Sequence, residues 1–349
     1  MQTLTMHHEA GHDISSCRIS TSNARTQVIR AIEPFVETQL GILKPVAASW
    51  QPADFLPAFV AKSWRDEIQQ LHERMQRLSD ELLVVLVGDL ITEEALPTYQ
   101  TMLNRHPGIA DQTGVSDSPW ARWTRGWTAE ENRHGELLSK YLYLSGRVNG
   151  RAVDITIQHL LRNGFDPQTD NDPYRGLIYT AFQERATRIS HGNTAQLAAK
   201  SGDLVLTKIC QMIASDEARH EEAYKRFVRK ILEMDAPGVV AAFAQTMKTR
   251  IAMPGRFMSD GSTHDVFGQF SAAAQHIGVY TIRDYANIVE HLVAYWGIAD
   301  VTGLSGHVAG AQAYLCGLAN VYRRAADRLD GRLRAYPRIP CSWVFNRPV

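Results

Sequence analysis

The stretch Glu131-Asn132-Arg133-His134 places a glutamate and a histidine three residues apart, and Glu217-Ala218-Arg219-His220 repeats this pattern later in the chain. On an α-helix, residues three apart are neighbours on one face. Each pair can therefore present one carboxylate and one imidazole to the same point. A single glutamate precedes each pair, Glu93 by 38 residues and Glu184 by 33 residues, so the whole arrangement occurs twice.

Apolar residues recur at steps of three and four through four long segments, which predicts amphipathic helices. Each glutamate lies on the apolar stripe of its segment; Leu206, Ile209 and Ile213, for example, lead to Glu217. A buried carboxylate without a partner is costly. One Glu-x-x-His pattern usually belongs to a solvated helix face. Two such patterns on apolar stripes favour four carboxylates that meet around a strong positive charge.

The side chains of the repeated pattern form one candidate ligand set. Four carboxylates and two imidazoles are the ligands of ferritin-like di-iron and di-manganese bundles, and oxygen-rich ligation favours iron or manganese over zinc or copper. The predicted metal ligands are Glu93, Glu131, His134, Glu184, Glu217 and His220.

The predicted fold is all-α, a ferritin-like four-helix bundle core with additional helices, because no segment shows the sustained two-residue alternation of a β-strand. We expect residues 1–30 to form a flexible N-terminal arm and residues 31–349 to form a single domain. Pro97 should kink the first bundle helix just after Glu93. The proline-containing tail, residues 332–349, is expected to be an extended segment packed on the body.

Composition excludes several classes of partner. The 349 residues contain 37 basic and 37 acidic side chains, so no overall charge indicates a nucleic-acid partner. No apolar run approaches the roughly 18–20 residues that span a bilayer. The four cysteines are widely scattered, which favours a reducing compartment. The N-terminus has the features of neither a secretory signal nor a transit peptide. We therefore expect a cytoplasmic protein that contacts neither nucleic acid nor membrane.

The sequence around the six predicted ligands resembles one family in particular, the soluble plant-type acyl-[acyl-carrier-protein] desaturases. The resemblance runs from about residue 30 to the C-terminus. The stretches that carry it include Thr92-Glu93-Glu94-Ala95-Leu96-Pro97, Trp127-Thr128-Ala129-Glu130-Glu131-Asn132-Arg133-His134-Gly135, Phe182-Gln183-Glu184-Arg185-Ala186-Thr187 and Asp216-Glu217-Ala218-Arg219-His220-Glu221.

This resemblance implies a homodimer in which each chain holds two irons beside a narrow acyl channel. The family's metal ligands correspond to the same six residues. The implied reaction places a cis double bond in a saturated acyl chain tethered to acyl carrier protein, with dioxygen as oxidant and ferredoxin as electron donor. Thr187 resembles the family's threonine near the oxygen-binding face, and a hydroxyl there would donate to reduced oxygen. The alternative is that Thr187 only bonds back to a helix carbonyl.

Residues behind the ligands are a second set of candidates, because ligand histidines are normally oriented through their other ring nitrogen. Asp216 is the best candidate partner, Trp50 is a candidate member of the same network, and His191 is a third candidate. Glu130 and Glu94 are weaker candidates, expected instead to be surface or structural residues. The stripe formed by Trp120, Trp123 and Trp127 is expected to pack in the core, with channel lining and electron entry as alternatives.

Some features depart from the plant pattern or leave alternatives open. The absence of a transit peptide favours a bacterial cytoplasmic protein, or a stromal one if a plant-type precursor has been trimmed. Arg105-His106-Pro107 and residues 256–268 differ from the common pattern and are expected to flank the substrate entrance. The alternative functions are a di-iron hydroxylase or oxygenase acting on a carrier-bound acyl chain and a ferritin-like iron oxidase. The small subunit of ribonucleotide reductase fits the size, but its surrounding motifs differ.

Overall fold

The computed structural model describes residues 23–330 and 338–349, and almost all of its regular structure is helical. The all-α prediction is therefore confirmed. The α-helices are α1 (described over residues 23–31), α2 (Glu33–Gln39), α3 (Trp64–Met75), α4 (Asp80–Glu93), α5 (Leu96–Asn104), α6 (Pro119–Ser145), α7 (Gly150–Asn163), α8 (Pro173–Lys200), α9 (Leu204–Met234), α10 (Ala236–Thr249), α11 (Val266–His276), α12 (Ile282–Tyr295) and α13 (Gly306–Asp330).

Four of these helices, α4, α6, α8 and α9, form the bundle that holds the predicted ligands. Each begins at a residue whose side chain accepts a hydrogen bond from a first-turn backbone N–H: Ser79, Ser118, Asp172 and Asp203 respectively. Such caps satisfy backbone donors that the helix itself leaves unpaired. The start of every bundle helix is therefore specified locally.

The bundle helices pack on one another through their apolar faces. A connection of three residues joins α8 to α9, so these two long helices form an antiparallel hairpin. The residues of α4 from Leu82 to Glu93 are all buried, as expected for a helix surrounded by others. Contacts of α4 with α6 and α8, and of α6 with α9, close the bundle.

The remaining helices cover the bundle from outside. Helix α11 packs on α4, while α10 and α12 pack on α8, and α13 packs on α10 and α12. The described part of the tail is a small hairpin, since β1 (Pro340–Cys341) pairs antiparallel with β2 (Arg347–Pro348). Between these strands Trp343 is fully buried and donates to the Thr156 hydroxyl. The tail packs on the body as predicted, but as a hairpin rather than a simple extended segment.

Two sequence predictions concern the helix ends. Instead of a kink, Pro97 coincides with a break: α4 ends at Glu93, and α5 begins at Leu96 with Pro97 in its first turn, where a missing N–H costs nothing. Of the predicted arm, residues 1–22 lie outside the described residues, while residues 23–30 are helical and Ile29 is fully buried. The single domain over residues 31–349 stays a prediction.

Candidate metal centre

The six predicted ligands come from the four bundle helices and meet in their interior. Glu93 is the last residue of α4, and Glu184 lies midway along α8. The two Glu-x-x-His pairs lie on α6 and α9. Every one of the six side chains is buried, with at most 5% of its surface exposed. The structure therefore brings together all the residues that the repeated pattern selected.

The six side chains form two overlapping groups. Glu93 and His134 belong to the first and Glu184 and His220 to the second, while Glu131 and Glu217 belong to both. Each residue of a group offers one potential ligand atom, and the four atoms of the group all lie within 4.8 Å of one another. The two shared glutamates therefore lie between two adjacent positions for a cation.

Six polar atoms of the candidate ligands test whether metal ions fit. They are buried and make no hydrogen bond of ordinary geometry among the described residues: Glu131 Oε1, His134 Nδ1, His134 Nε2, Glu184 Oε2, Glu217 Oε1 and His220 Nδ1. Some of them crowd one another, with His220 Nδ1 2.7 Å from Glu131 Oε1 and His134 Nδ1 3.3 Å from Glu217 Oε1. Buried polar atoms without a hydrogen bond are uncommon and need an explanation, and a pair of iron ions in this oxygen-rich set fits the observation.

Close packing of the acidic groups perturbs their proton affinities. Burial raises the pKa of Glu184 well above its ordinary value, and the charges of Glu131 and Glu217 raise it further. Burial alone would lower the pKa of His220, but the neighbouring carboxylates raise it well above the usual value. Protons thus compensate the clustered charge in the metal-free protein. Bound metal ions would displace them, because metal ligands bind in their deprotonated form.

Asp216, predicted to support a ligand histidine, lies behind His134. Its carboxylate is 3.6 Å from His134 Nε2 and accepts hydrogen bonds from Trp50 Nε1 (2.8 Å) and from Arg219. Although burial raises the pKa of Asp216, His134 and the arginine hold it well below its ordinary value. The Trp50 ring stacks on the His134 ring, with centroids 6.0 Å apart. A permanently charged Asp216 leaves the Nδ1 of His134 directed at the ligand cluster.

His191, the third predicted supporting residue, is fully buried on α8. Its Nε2 lies 2.9 Å from Glu93 Oε1. The neighbouring Ser190 donates to Asp89, and burial raises the pKa of Asp89 to about 6. The structure therefore places His191 behind a carboxylate ligand rather than behind a histidine.

Glu130, only a weaker candidate on the sequence, has a supporting role like that of Asp216. It is buried rather than exposed, its Oε2 lies 2.9 Å from His220 Nε2, and Arg219 donates to the same oxygen. Glu130 and Asp216 each precede a shared glutamate and each support the histidine of the opposite pair. The acidic residue directly before both Glu-x-x-His patterns was the signal that could have revealed this symmetry.

Thr187 lies beside the cluster but bonds to its own helix. Its hydroxyl is 3.1 Å from the carbonyl oxygens of both Gln183 and Glu184, which is the alternative arrangement considered for this residue. The same side chain lines a cavity together with Glu184 and Glu217. A role for its hydroxyl in the reaction stays a prediction.

The cavity next to the cluster contains about 430 Å³ of empty space, part of which is open to solvent. Four ligand carboxylates, those of Glu93, Glu131, Glu184 and Glu217, contribute to its wall. The other lining residues are Thr92, Tyr99, Met102, Trp127, Tyr179, Thr180, Gln183, Thr187 and Pro254. A slender apolar molecule in this cavity would lie against the metal ligands.

Comparison with known proteins identifies the family. A family model described as fatty acid desaturase matches residues 24–345. This chain belongs to the fatty acid desaturase family. It is therefore an oxidoreductase, as the resemblance implied, and its buried donor set fits the predicted di-iron centre. Among the described residues, no helix is long and apolar enough to cross a lipid bilayer.

Individual relatives of this desaturase are plant enzymes. The chloroplastic acyl-[acyl-carrier-protein] desaturase of Cucumis sativus is 52% identical over 326 residues, which cover 93% of this chain and 82% of that one. The chloroplastic stearoyl-[acyl-carrier-protein] 9-desaturase of Spinacia oleracea is 50% identical, over 95% of this chain and 83% of that one. A solved structure described as an acyl-ACP desaturase, DesA2 of Mycobacterium tuberculosis H37Rv, shares the fold with a TM-score of 0.52 and 20% identity, over 80% of this chain and 97% of that one.

Proposed function

We propose that this desaturase removes two hydrogens from adjacent carbons of a saturated acyl chain carried by acyl carrier protein, leaving a cis double bond. The observation that carries the proposal is an apolar cavity whose wall includes four carboxylates of a buried metal cluster. The names of the plant relatives support the carrier-bound acyl chain as substrate. Reduced ferredoxin as electron donor, a homodimeric state and a cytoplasmic location belong to the same proposal.

The metal centre and the protein side chains make different contributions to the proposed reaction. Two irons, when bound, would supply the oxidising power from dioxygen and two electrons that an unactivated methylene requires. The side chains hold this centre: Asp216 and Glu130 support the Nε2 sides of the two ligand histidines, which leaves each Nδ1 facing the cluster.

The cavity residues position the acyl chain. Tyr99, Met102 and Trp127 offer apolar surface that holds methylenes and excludes water, and the Trp127 indole is fixed by donating to Glu184 Oε1 at 3.1 Å. Because the wall is narrow, the depth to which the chain enters selects the carbons that lie beside the carboxylates. This fixed placement provides the regiochemistry of the reaction.

A carrier docking site is proposed next to the cavity wall. Pro254 lines the cavity, and the following residues Arg256 and Phe257 are exposed. The carbonyl of Phe257 accepts a hydrogen bond from Asn163, which places the exposed Arg162 on the same surface. Two arginines beside an apolar ring suit an acidic carrier, and such steering weakens as salt rises.

The proposed function is tested by comparing acyl donors. Iron-loaded protein with ferredoxin, its reductase and dioxygen should turn over carrier-bound thioesters much faster than free acids or coenzyme A thioesters. Turnover at subsaturating substrate should fall with salt. Equal rates on free acids with no salt effect would contradict a carrier-bound substrate. A product that carries a hydroxyl group would favour the hydroxylase alternative, and iron uptake without any product would favour the ferritin-like one.

Thr187→Val should change how efficiently dioxygen reduction is coupled to desaturation, but it should not change the iron content. Valine keeps the branched shape and removes the hydroxyl, which is not among the six ligands, so iron content should equal that of the wild type. We expect slower desaturation, or more peroxide released per double bond, with a loss smaller than the roughly 10²-fold of a full general acid. Peroxide and product are measured together over single turnovers.

The matched control is Thr207→Val. The Thr207 hydroxyl also donates to a backbone carbonyl of its own helix, α9, but its side chain does not line the cavity. It should leave rate and coupling unchanged. If Thr187→Val behaves like the control, the hydroxyl is structural. If it loses iron, the proposed position of this side chain is wrong.

We propose that His106 closes the far end of the cavity; that residues 105–107 flank the entrance stays the alternative prediction. Met102 and Thr180 line the cavity, His106 follows Met102 by four residues, and Gly176 lies one turn of α8 before Thr180. The His106 ring is fully buried, and a Cβ at Gly176 would lie only 2.7 Å from its Nε2. Burial lowers the pKa of His106 to about 4, so the ring is neutral.

His106→Ala should therefore shift the preference towards longer acyl chains. One methylene is worth roughly 10- to 200-fold in discrimination, so the ratio of kcat/KM for the longer to the shorter substrate should rise by about tenfold or more. His106→Leu, which keeps a bulky side chain, is the control. An unchanged chain-length profile in His106→Ala would show that the cavity ends elsewhere.

A further inference from the structure

The three tryptophans of α6 pack in the core and belong to a continuous column of aromatic rings. Trp120, Trp123 and Trp127 lie on one face of the helix, and two rings of α9, Tyr224 and Phe227, pack among them. Ring centroids are 5.7 Å apart for both Trp127–Tyr224 and Tyr224–Trp123. They are 5.1 Å apart for Trp123–Phe227 and 4.9 Å apart for Trp120–Phe227. The five rings form one continuous column.

The column runs from the metal cluster to Trp120, a fully buried indole next to the half-buried first residues of α6. At its inner end, Trp127 donates a hydrogen bond to the ligand Glu184. At its outer end, Trp120 lies in the first turn of α6, beside the half-buried Ser118 and Pro119, and donates to the carbonyl of Ile29. Aromatic side chains therefore fill the whole path between these two points.

The hydrogen bonding at Trp123 argues for the indole itself rather than for an aromatic ring of any kind. Its Nε1 is buried and makes no hydrogen bond among the described residues, although the Tyr224 ring packs against the indole with centroids 5.7 Å apart. A buried indole N–H normally finds a partner, and an unsatisfied donor costs roughly 1–3 kcal/mol. Phenylalanine would fill much of the space without this cost. Indole differs from phenylalanine in being readily oxidised by one electron.

We propose that the three indoles form an outlet that carries oxidising equivalents away from the metal centre when no acyl chain occupies the cavity. Trp127 would give one electron towards the oxidised centre while its Nε1–H stays hydrogen-bonded to Glu184. An electron from Trp123 would then refill Trp127, and one from Trp120 would refill Trp123. A one-electron reductant in solution, such as a thiolate, would restore Trp120 by electron transfer across the residues that bury it. The net result is one electron gained by the centre and one lost by the reductant.

Tyr224 and Phe227 bridge the indoles without being oxidised. Among the described residues, the Tyr224 hydroxyl has no acceptor for its proton, so oxidation of the phenol would leave a proton with nowhere to go. The ring alone is needed to couple Trp127 with Trp123. This assignment separates the indoles from the other rings and makes the inference testable by conservative substitutions.

The test uses iron-loaded protein that is repeatedly reduced and exposed to air without acyl substrate, with catalase present to remove released peroxide. Iron retained per chain and a peptide map of oxidised side chains are measured. In the wild type we expect oxidation at Trp120 and intact ligands. In Trp123→Phe, oxidation should remain at Trp127 and at ligands such as His220, and iron should be lost after several-fold fewer cycles. Tyr224→Phe, the matched control, should behave like the wild type.

Melting of the metal-free proteins checks that each variant folds. If Trp123→Phe does not fold, Trp120→Phe takes its place, and oxidation should then stop at Trp123. Oxidation maps and iron retention that are identical in the wild type and the indole variants would overturn the proposal. A Tyr224→Phe protein that shares the defect of Trp123→Phe would overturn the assignment of the indoles as carriers.

Discussion

Replacing Glu131 with alanine should remove iron binding and desaturase activity together. Glu131 belongs to both ligand groups, so its loss takes a donor from each of the two cation positions. Iron content should fall to near zero, and the near-ultraviolet absorption of the oxidised centre should vanish. The metal-free variant should still fold, because the change also removes one of four crowded carboxylates. His220→Ala, which takes a donor from one group only, should lower iron content less.

Glu136→Ala is the matched control for this prediction. Glu136 lies on the same helix five residues later, but it is half-buried and paired with the exposed Lys140. Its replacement should leave iron content and activity unchanged. Metal analysis that finds a single zinc per chain, insensitive to Glu131→Ala and His220→Ala, would contradict the di-iron centre.

Glu221→Ala should destabilise the metal-free protein strongly. The Glu221 side chain is fully buried and accepts from Arg185, Arg188 and Lys225, which joins α8 to α9 away from the metal cluster. Lys225 is itself buried, so alanine would leave its charge with only the partly exposed Glu222 as a counter-ion. Removing one partner of a buried ion pair typically costs roughly 3–5 kcal/mol. The free energy of unfolding in denaturant measures this loss.

The neighbouring Glu222→Ala provides the comparison. Glu222 pairs with Lys225 and Arg226, but a third of its side chain is exposed. Partly solvated pairs typically contribute about 1 kcal/mol or less, so this variant should unfold near the wild-type denaturant concentration. Equal effects of the two substitutions would show that Glu221 is not the centre of the ion cluster.

The clustering of the six candidate ligands was predictable because helix geometry fixes much of it locally. Three-residue spacing on an apolar stripe determines that Glu131 and His134 face one point, whatever the rest of the chain does. The first residue of each bundle helix is also determined by short-range contacts. Each helix is capped by a side chain that accepts from a backbone N–H of its own first turn: Ser79, Ser118, Asp172 and Asp203. The fold class follows from such short-range features.

What could not be predicted depends on contacts between distant segments. Glu130 appears on the sequence as one more charged helix residue, and only the approach of α9 brings His220 to it. His106 follows α5 in a polar stretch, but its Nδ1 lies 3.1 Å from the Asn171 carbonyl, in the loop before α8. That loop also holds Gln168, Asp170 and Asn171 at positive φ. Aspartate and asparagine adopt this conformation more readily than other non-glycine residues, but the sequence does not determine which residues of the loop adopt it.

The most direct test of the account is mass spectrometry of the acyl product after iron-loaded protein is reduced and exposed to dioxygen with a panel of acyl-carrier-protein thioesters. The account predicts a product lighter than its substrate by two hydrogens, formed only when the chain contains iron and absent with Glu131→Ala. A product heavier by one oxygen atom, or the same dehydrogenated product from iron-free protein, would contradict it.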